Sequence, residues 1–260
     1  MAYEPVPKKS LGQHWLNDEI SLHNMLMAAD VQPEDTVLEI GPGLGPLTAL
    51  LTDQAEAVVA VEFDAELARG LAKRVPADNL RVVQSDILRF DLTAMAPDYK
   101  VVANIPYYLT SKLVRVLSES TTPPAVAALL VQKEVAERLA AKPGQLSILG
   151  VTSQYYWEVS LGPVVAAELF TPPPKIDSQI VVLKRRAQPL FPDVDTKEFF
   201  RLVKAGFGEK RKTLLNSLSA GLHLEKESVK AWLDAAGVDP MLRAQNLSLD
   251  AWYKLYQTKP

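Results

Sequence analysis

Cysteine is absent from the 260 residues, and histidine occurs only three times. Without thiols the chain forms no disulfide bond and no thiolate metal site. The histidines show no metal-ligand spacing, so we expect no metal centre. Long apolar runs are also missing, because the longest lies around residues 125–131 and is far too short to cross a bilayer. The N-terminus lacks the apolar segment of a signal peptide. These absences favour a cytoplasmic protein that has no membrane partner.

The formal net charge of −3 conceals an uneven distribution along the chain. From Lys184 to Pro260 there are 14 Lys and Arg against 9 Asp and Glu, whereas the preceding residues carry 14 against 22. A basic tail on an acidic body favours a polyanionic partner at one end of the molecule. Ordinary solvated charge is the alternative interpretation.

Short β-branched runs alternate with amphipathic segments in the first part of the chain. This alternation predicts βαβ units and a Rossmann-like α/β fold with a mostly parallel sheet. Two later runs, 155–161 and 179–183, are compatible with an antiparallel hairpin at the edge of the sheet. The predicted strands are 36–40, 58–62, 80–83, 99–103 and 126–131, and the predicted helices are 64–75, 110–118 and 133–141.

The pattern changes after residue 186, where a proline-containing linker is followed only by helical periodicity. We predict a catalytic domain over residues 1–186 and a small α-helical domain over residues 187–260. The helices expected in this second domain are 197–205, 210–219, 228–236 and 249–256.

A glycine-rich turn, Gly41 to Gly45, follows the first predicted strand and precedes a helix. Such a turn lets the backbone approach a ligand closely at a helix N-terminus. The dinucleotide fingerprint needs a third glycine where this chain has Pro46, which weakens a dehydrogenase interpretation. A purely structural turn remains an alternative for this motif taken alone.

Two acids follow the next strands. Glu62 ends the second strand about twenty residues after the glycines, where a carboxylate accepts from both ribose hydroxyls. Asp86 follows the third strand and is placed to accept from an adenine amino group. Each acid alone is typical of a solvated loop, but together they favour a nucleoside site. The ligand that fits is adenosine with a cationic sulfonium and no pyrophosphate.

The fourth strand ends in the tetrad Asn104-Ile105-Pro106-Tyr107. Adenine N6 is a poor nucleophile because its lone pair is delocalised into the ring. Two acceptors, the Asn104 oxygen and a backbone carbonyl beside Pro106, would hold both N–H groups and aim the lone pair at a methyl carbon. Tyr107 offers a face for an extruded base, worth roughly 1–3 kcal/mol. The alternative is a turn after a buried strand. The lack of cysteine excludes thiolate attack at pyrimidine C5.

With these residues in place, the chain resembles the KsgA-type rRNA adenine dimethyltransferases, which are similar to the Erm resistance methylases. The resemblance covers nearly the whole sequence. It is carried by five ordered blocks besides the tetrad: 8–18, 39–45, 170–175, 207–216 and 243–247. The family usually has phenylalanine at the position of Trp15 in the first block, so this chain departs from the pattern there.

The resemblance implies both a cofactor site and a substrate site. Tyr107 and Phe170 are implied to flank a flipped adenine. It further implies small-subunit rRNA in pre-mature ribosomal subunits as the partner, and we expect a monomer. The residues implied to contact S-adenosylmethionine are His14, Leu16, Gly41, Glu62, Asp86 and Asn104.

The basic tail contains a candidate RNA-binding face. If one helix continues through Gly208, then Arg201, Lys204, Arg211 and Lys212 fall on one side of it and would contact phosphates. A solvated face is the alternative.

Three functions remain open at this stage. Dimethylation of two adjacent adenines near the 3′ end of small-subunit rRNA leads, and the blocks at 207–216 and 243–247 favour it over an Erm-like enzyme acting on large-subunit rRNA. The third is a non-catalytic ribosome assembly factor on the same fold, against which the intact tetrad argues.

Overall fold

The structure, a computed structural model, describes residues 5–260. It contains a two-stranded antiparallel sheet and a seven-stranded sheet. The strands are β1 (Trp15–Leu16), β2 (Thr36–Ile40), β3 (Ala57–Glu62), β4 (Leu80–Gln84), β5 (Lys100–Asn104), β6 (Val126–Gln132), β7 (Trp157–Val165), β8 (Phe170–Thr171) and β9 (Ser178–Arg185). The helices are α1 (Glu19–Ala28), α2 (Pro46–Gln54), α3 (Ala65–Arg74), α4 (Thr110–Glu119), α5 (Lys133–Leu139), α6 (Ile148–Tyr156), α7 (Thr196–Phe207), α8 (Leu214–Leu222), α9 (Lys226–Ala235) and α10 (Leu249–Gln257).

The large sheet has the strand order β4-β3-β2-β5-β6-β9-β7. Strands β4, β3, β2, β5 and β6 run parallel, and β9 pairs antiparallel with β6. The inner strands are apolar on both faces, as parallel strands covered by helices must be. This arrangement confirms the predicted α/β architecture with a mostly parallel sheet.

The order of strands changes direction beside β2. From β2 the chain adds β3 and β4 on one side and then returns to add β5 and β6 on the other. The carboxyl ends of β2 and β5 therefore flank a switch point, the place where ligands bind in open α/β sheets. The residues that follow these two ends are the glycine turn and the tetrad.

Contacts divide the chain into two compact units. The first contains the chain up to Ala136 together with Glu158–Arg185, and the second contains Glu137–Trp157 and Arg186–Pro260. The sequence predicted one domain boundary, at residue 186, which places residues 137–157 in the catalytic domain. In the structure they belong to the second unit. The reason is packing, because Leu146, Val151 and Tyr155 share a buried apolar core with Phe199 and Leu202.

Some elements are absent from the sequence-based prediction. Helices α1 and α6 and the pair β1–β8 were not expected, and residues 155–156 belong to α6 instead of a strand. Within residues 5–260, no helix combines the length and apolar character needed to cross a membrane.

Candidate active site

A cavity opens in the first unit at the carboxyl ends of β2, β3 and β5. It is bounded by the segment 11–16, by the glycine turn and by the tetrad. Parallel strands bring these segments to one edge of the sheet. Of the residues singled out in the sequence, the cavity lining contains His14, Leu16, Gly41, Glu62, Asn104 and Tyr107.

The glycine turn is shaped by backbone conformations that side chains tolerate poorly. Gly43 has φ +59° and Gly45 has φ +100°. A Cβ at Gly45 would also lie 2.8 Å from side-chain carbons of Leu71 and Val75. The turn is held internally, because the Gly41, Gly43 and Gly45 amides donate to Val61 O, Glu62 Oε2 and Pro42 O respectively.

Glu62 is buried at the end of β3, and its two carboxyl oxygens accept from backbone amides. The Gly43 N–H donates to Oε2 at 3.1 Å and the Asp64 N–H donates to Oε1 at 2.8 Å. Burial raises the pKa of Glu62, and the two amide hydrogen bonds oppose this rise. Each oxygen keeps a further lone pair, so the carboxyl is oriented by the turn and can still accept from a ligand.

Asn104 is held in one orientation by the segment that carries His14. The Asn104 Nδ2 donates to the His14 carbonyl at 3.2 Å, and the His14 Nδ1–H donates to the Pro172 carbonyl at 2.7 Å. No described residue donates to the Asn104 Oδ1. The amide therefore presents a free acceptor at the cavity.

Tyr107 already has an aromatic neighbour on one side. Its ring stacks with His14 at a centroid separation of 5.7 Å and an interplanar angle of 18°. Its hydroxyl shares a hydrogen bond of 2.9 Å with Ser178 Oγ, and burial raises its pKa. These contacts fix the ring at the edge of the cavity.

Phe170 and Asp86 lie outside the cavity lining. Phe170 is only 2% exposed and pairs with Leu16 between β1 and β8. Asp86 follows β4 and its Oδ1 accepts from the Leu88 N–H at 3.0 Å. Because β4 is two strands away from β2, roughly 10 Å along the sheet edge, a ligand as long as adenosine is needed to join the turn to Asp86.

Glu39 and Trp15 are lining residues to which the sequence assigned no role. Glu39 is buried in β2 with both carboxyl oxygens unpartnered, and burial raises its pKa to about 8. The Nε1 of Trp15 is also buried without a partner among the described residues. The sequence does show an acid two residues before the glycine turn. The pattern of a strand, however, does not reveal which groups surround such an acid.

The segment before β1 is tied down beside the cavity. The Lys8 ammonium forms an ion pair of 2.7 Å with Asp64, the N-cap of α3, and the Lys8 N–H donates to Gln13 Oε1 at 2.7 Å. The Asp64 side chain is almost fully buried, whereas the Lys8 side chain is exposed. These contacts hold residues 11–16 in place as one wall of the cavity.

In the second unit, the basic residues do not form the single helical face expected from the sequence. Helix α7 ends at Phe207 with Gly208 as its C-cap, so Arg211 and Lys212 lie in the turn that precedes α8. That expectation was wrong, because the chain leaves the helix at the Gly206–Gly208 region. Arg201 and Lys204 line a groove together with Lys197, a residue not expected there from the sequence.

The floor of this groove is made of small residues. Ala205 and Gly221 are in close contact, since a Cβ at Gly221 would lie 2.8 Å from the Ala205 Cβ. Gly208 and Ala220 line the groove as well. Arg201 pairs with Glu198 at 3.5 Å through largely exposed side chains, a type of pair that contributes little and exchanges readily.

Comparison with known proteins gives one consistent result. The family described as ribosomal RNA adenine dimethylase matches residues 6–259. A relative named ribosomal RNA small subunit methyltransferase A from Dehalococcoides mccartyi is 42% identical over 252 residues, which is 95% of this chain and 87% of the relative. A relative of the same name from Moorella thermoacetica is 38% identical over 97% of this chain and 92% of its own length.

Solved structures show the same fold. A dimethyladenosine transferase from Plasmodium falciparum has a TM-score of 0.77 and 28% identity, over 93% of this chain and 96% of that one. The 23S rRNA methyltransferase ErmE has a TM-score of 0.77 and 30% identity, over 94% and 98% of the two chains.

Proposed function

The chain belongs to the ribosomal RNA adenine dimethylase family, and on this premise we propose that it dimethylates N6 of two adjacent adenosines near the 3′ end of small-subunit (16S) rRNA. The enzyme is an S-adenosylmethionine-dependent methyltransferase. We further propose that it acts in the cytoplasm as a monomer, on small subunits that are not yet mature, and so contributes to their biogenesis.

The residues of the cavity fit the cofactor. Glu62 provides an oriented acceptor for ribose hydroxyls, and Gly41 and Leu16 supply close backbone and apolar contact. Asp86 lies farther along the same sheet edge, where the adenine of the cofactor would reach it. The cofactor supplies an electrophilic methyl group on its sulfonium.

The observation that carries the reaction is the fixed amide of Asn104. Because its Nδ2 is engaged by the His14 carbonyl, its Oδ1 accepts one N–H of the adenine amine. The second N–H is accepted by the Ile105 carbonyl, since the Pro106 carbonyl already accepts from the Leu109 N–H at 2.9 Å. With both N–H groups held, the nitrogen would be pyramidal and its lone pair would be available to react.

Positioning supplies the rest of the catalysis. Asn104 and the Ile105 carbonyl would hold the amine in place to take the methyl group that the bound cofactor would supply. The methylated nitrogen then loses a proton to water, which needs no strong base because the cationic amine is acidic. Tyr107 stacks on the extruded adenine with the face that His14 leaves free. Phe170 reaches the base only if its side chain turns out of the core.

The groove along α7 is the RNA-binding surface in this proposal. Lys197, Arg201 and Lys204 recur at helical spacing along one side of α7 and line a floor of small residues. Cations along such a groove contact phosphates without reading sequence. Arg211 and Lys212 extend the positive charge beyond the end of the helix.

The direct test is incubation with labelled S-adenosylmethionine and small ribosomal subunits that lack the modification, followed by mapping of the labelled bases. We expect label on two adjacent adenosines near the 3′ end of the small-subunit rRNA. Large subunits serve as the comparison, because label there instead would favour the activity named for ErmE. Label on neither subunit would leave a non-catalytic assembly factor.

We predict that Asn104→Ala lowers the rate of methyl transfer by about 10²–10³, by analogy with the loss of one oriented hydrogen-bond group in an active site. Single-turnover assays at saturating cofactor measure the chemical step. Asn24→Ala, which removes an amide on α1 outside the cavity lining, is the matched control and should react normally. A near-normal rate for a folded Asn104→Ala enzyme would contradict the proposed role.

A further inference from the structure

Trp15 lies against the glycine turn in an unusual way. A Cβ at Gly43 would be 3.3 Å from both Cδ1 and Nε1 of the indole, so the nitrogen edge of the ring rests on this glycine. Trp15 belongs to β1, where it pairs with Thr171, and it lines the cavity.

The indole N–H has no partner. Its nitrogen has essentially no accessible surface and makes no hydrogen bond with any described residue. Indole is a donor only, and a buried donor left unsatisfied is costly. Trp232 shows the usual solution, because its Nε1 donates to the Leu255 carbonyl at 2.9 Å. Trp252 also has an unpartnered N–H, but it lies in the apolar core of the helical unit.

The glycine turn makes this donor chemically significant. The amides of all three of its glycines are engaged inside the protein, by Val61, Glu62 and Pro42. Glycine amides at a helix N-terminus ordinarily bind the anionic group of a ligand. Because these three amides are engaged, an anionic group beside Gly43 gains from a further donor, and the Trp15 N–H is a side-chain donor in contact with that glycine.

S-Adenosylmethionine has one anionic group, the α-carboxylate of its methionine part. A carboxylate that enters this cavity loses water and therefore needs a hydrogen-bond donor in its place. Hydrogen bonds to a charged acceptor are about twice as strong as neutral ones. The α-carboxylate is thus the acceptor that gains most from a buried N–H.

We propose that the Trp15 Nε1–H donates a hydrogen bond to the α-carboxylate of the cofactor. The nitrogen is covered in this structure, so the indole and its neighbours shift slightly as the ligand enters. Trp15 then acts as a cofactor-binding residue that distinguishes the complete cofactor from its adenosine part. The inference concerns the cofactor alone and holds whichever rRNA is the substrate.

The test uses two ligands and a variant that removes only the donor. Trp15→Phe keeps an aromatic ring on Gly43 but has no N–H. Calorimetry on the full chain compares S-adenosylhomocysteine with 5′-methylthioadenosine, which has the same adenosine but no α-carboxylate. We expect Trp15→Phe to lower the affinity for S-adenosylhomocysteine about 10- to 100-fold, which is the effect of losing one hydrogen bond to a charged group. Methylthioadenosine should change less than about threefold.

The matched control is Trp252→Phe, which removes the other unpartnered indole N–H and should leave both affinities unchanged. Thermal unfolding verifies that each variant is folded. If Trp15→Phe weakens binding of both ligands equally, the indole contributes only by packing, and the assignment to the carboxylate is overturned. Unchanged affinity for S-adenosylhomocysteine overturns it as well, without affecting the assignment of the cofactor.

Nuclear magnetic resonance gives an independent readout. The chain has four tryptophans, and the indole N–H signal that disappears in Trp15→Phe belongs to Trp15. S-Adenosylhomocysteine should move this signal downfield, as expected when the proton enters a hydrogen bond to a carboxylate. Methylthioadenosine should not. A signal that moves equally with both ligands would contradict the proposed bond.

Discussion

Single residues show where sequence reasoning was sufficient and where it was not. Asn104 and Glu62 are the last residues of strands that the alternating pattern predicts, so their meeting at one edge of the sheet was foreseeable. Glu39 and Trp15 lie in short strands, where the sequence does not reveal which side-chain atoms lack hydrogen-bond partners. Satisfaction of hydrogen bonds depends on three-dimensional neighbours, which one sequence does not give.

Glu39 predicts a pH dependence of stability. Burial, together with the nearby Glu62 carboxylate, raises its pKa to about 8, whereas an unfolded chain has the ordinary value of 4.5. Between these values the folded state binds the proton more tightly. The free energy of unfolding therefore falls as the pH rises from about 4.5 to 8, by at most ~1.4 kcal/mol per pH unit.

Glu39→Gln removes this dependence because an amide does not titrate in this range. Urea unfolding of both proteins at pH 5, 6.5 and 8 gives the difference in free energy at each pH. We expect the wild type to lose stability relative to Glu39→Gln as the pH increases. Two parallel curves would show that Glu39 is ionised throughout.

Among the elements, the five parallel strands were predicted well, whereas the pair β1–β8 and the helices α1 and α6 were not. Helix α1 buries Leu22, Met25 and Leu26 but exposes Ile20 and Met27, at 72% and 78%. These exposed apolar side chains obscure the helical period on which the prediction depends. Helix α6 ends in Tyr155 and Tyr156 and runs directly into β7, and aromatic residues favour strands. In both segments the helix depends on packing of its buried residues and not on a clear periodicity.

The groove along α7 leads to a prediction about RNA binding. Replacing Lys197, Arg201 and Lys204 together by alanine should weaken affinity for the rRNA and flatten its salt dependence. Fewer counterions are released when phosphate contacts are lost, which lowers the slope of log affinity against log salt by about 0.7–0.9 per contact. Binding titrations at several salt concentrations measure both quantities.

The control for this experiment removes the same charge elsewhere in the helical unit. Lys226, Lys230 and Lys254 are exposed on α9 and α10 and do not line the groove. Their replacement by alanine should leave the salt slope unchanged. Equal effects from both triple variants would mean that net charge, and not the groove, governs binding. Cofactor affinity should remain constant in all variants.

For the whole molecule, the boundary between the two units near residue 186 was visible in the sequence. The assignment of residues 137–157 to the helical unit was not. A linker and a switch to helical periodicity marked the later boundary. Residues 137–157 carry no such mark, because their apolar side chains fit a core in either unit. Only their contacts assign them to the helical unit.

This assignment predicts how fragments of the chain behave. A fragment of residues 1–186 retains Leu146, Val151 and Tyr155 but lacks Phe199 and Leu202, with which they share a core. Exposed apolar patches of this kind promote aggregation. We therefore expect the fragment to aggregate, as measured by light scattering.

A second fragment tests whether the first unit is otherwise sufficient. It ends at residue 186 and replaces residues 137–157 by a flexible Gly/Ser linker of about 20 residues. The residues that line the cofactor cavity lie between Leu11 and Tyr108, and Ser178, the partner of Tyr107, is also retained. We expect this fragment to remain monodisperse and to bind S-adenosylhomocysteine within about threefold of the full chain, because its apolar surface and its cavity are those of a complete unit. If the unmodified 1–186 fragment were equally soluble and unfolded as cooperatively, residues 137–157 would be part of the catalytic unit after all.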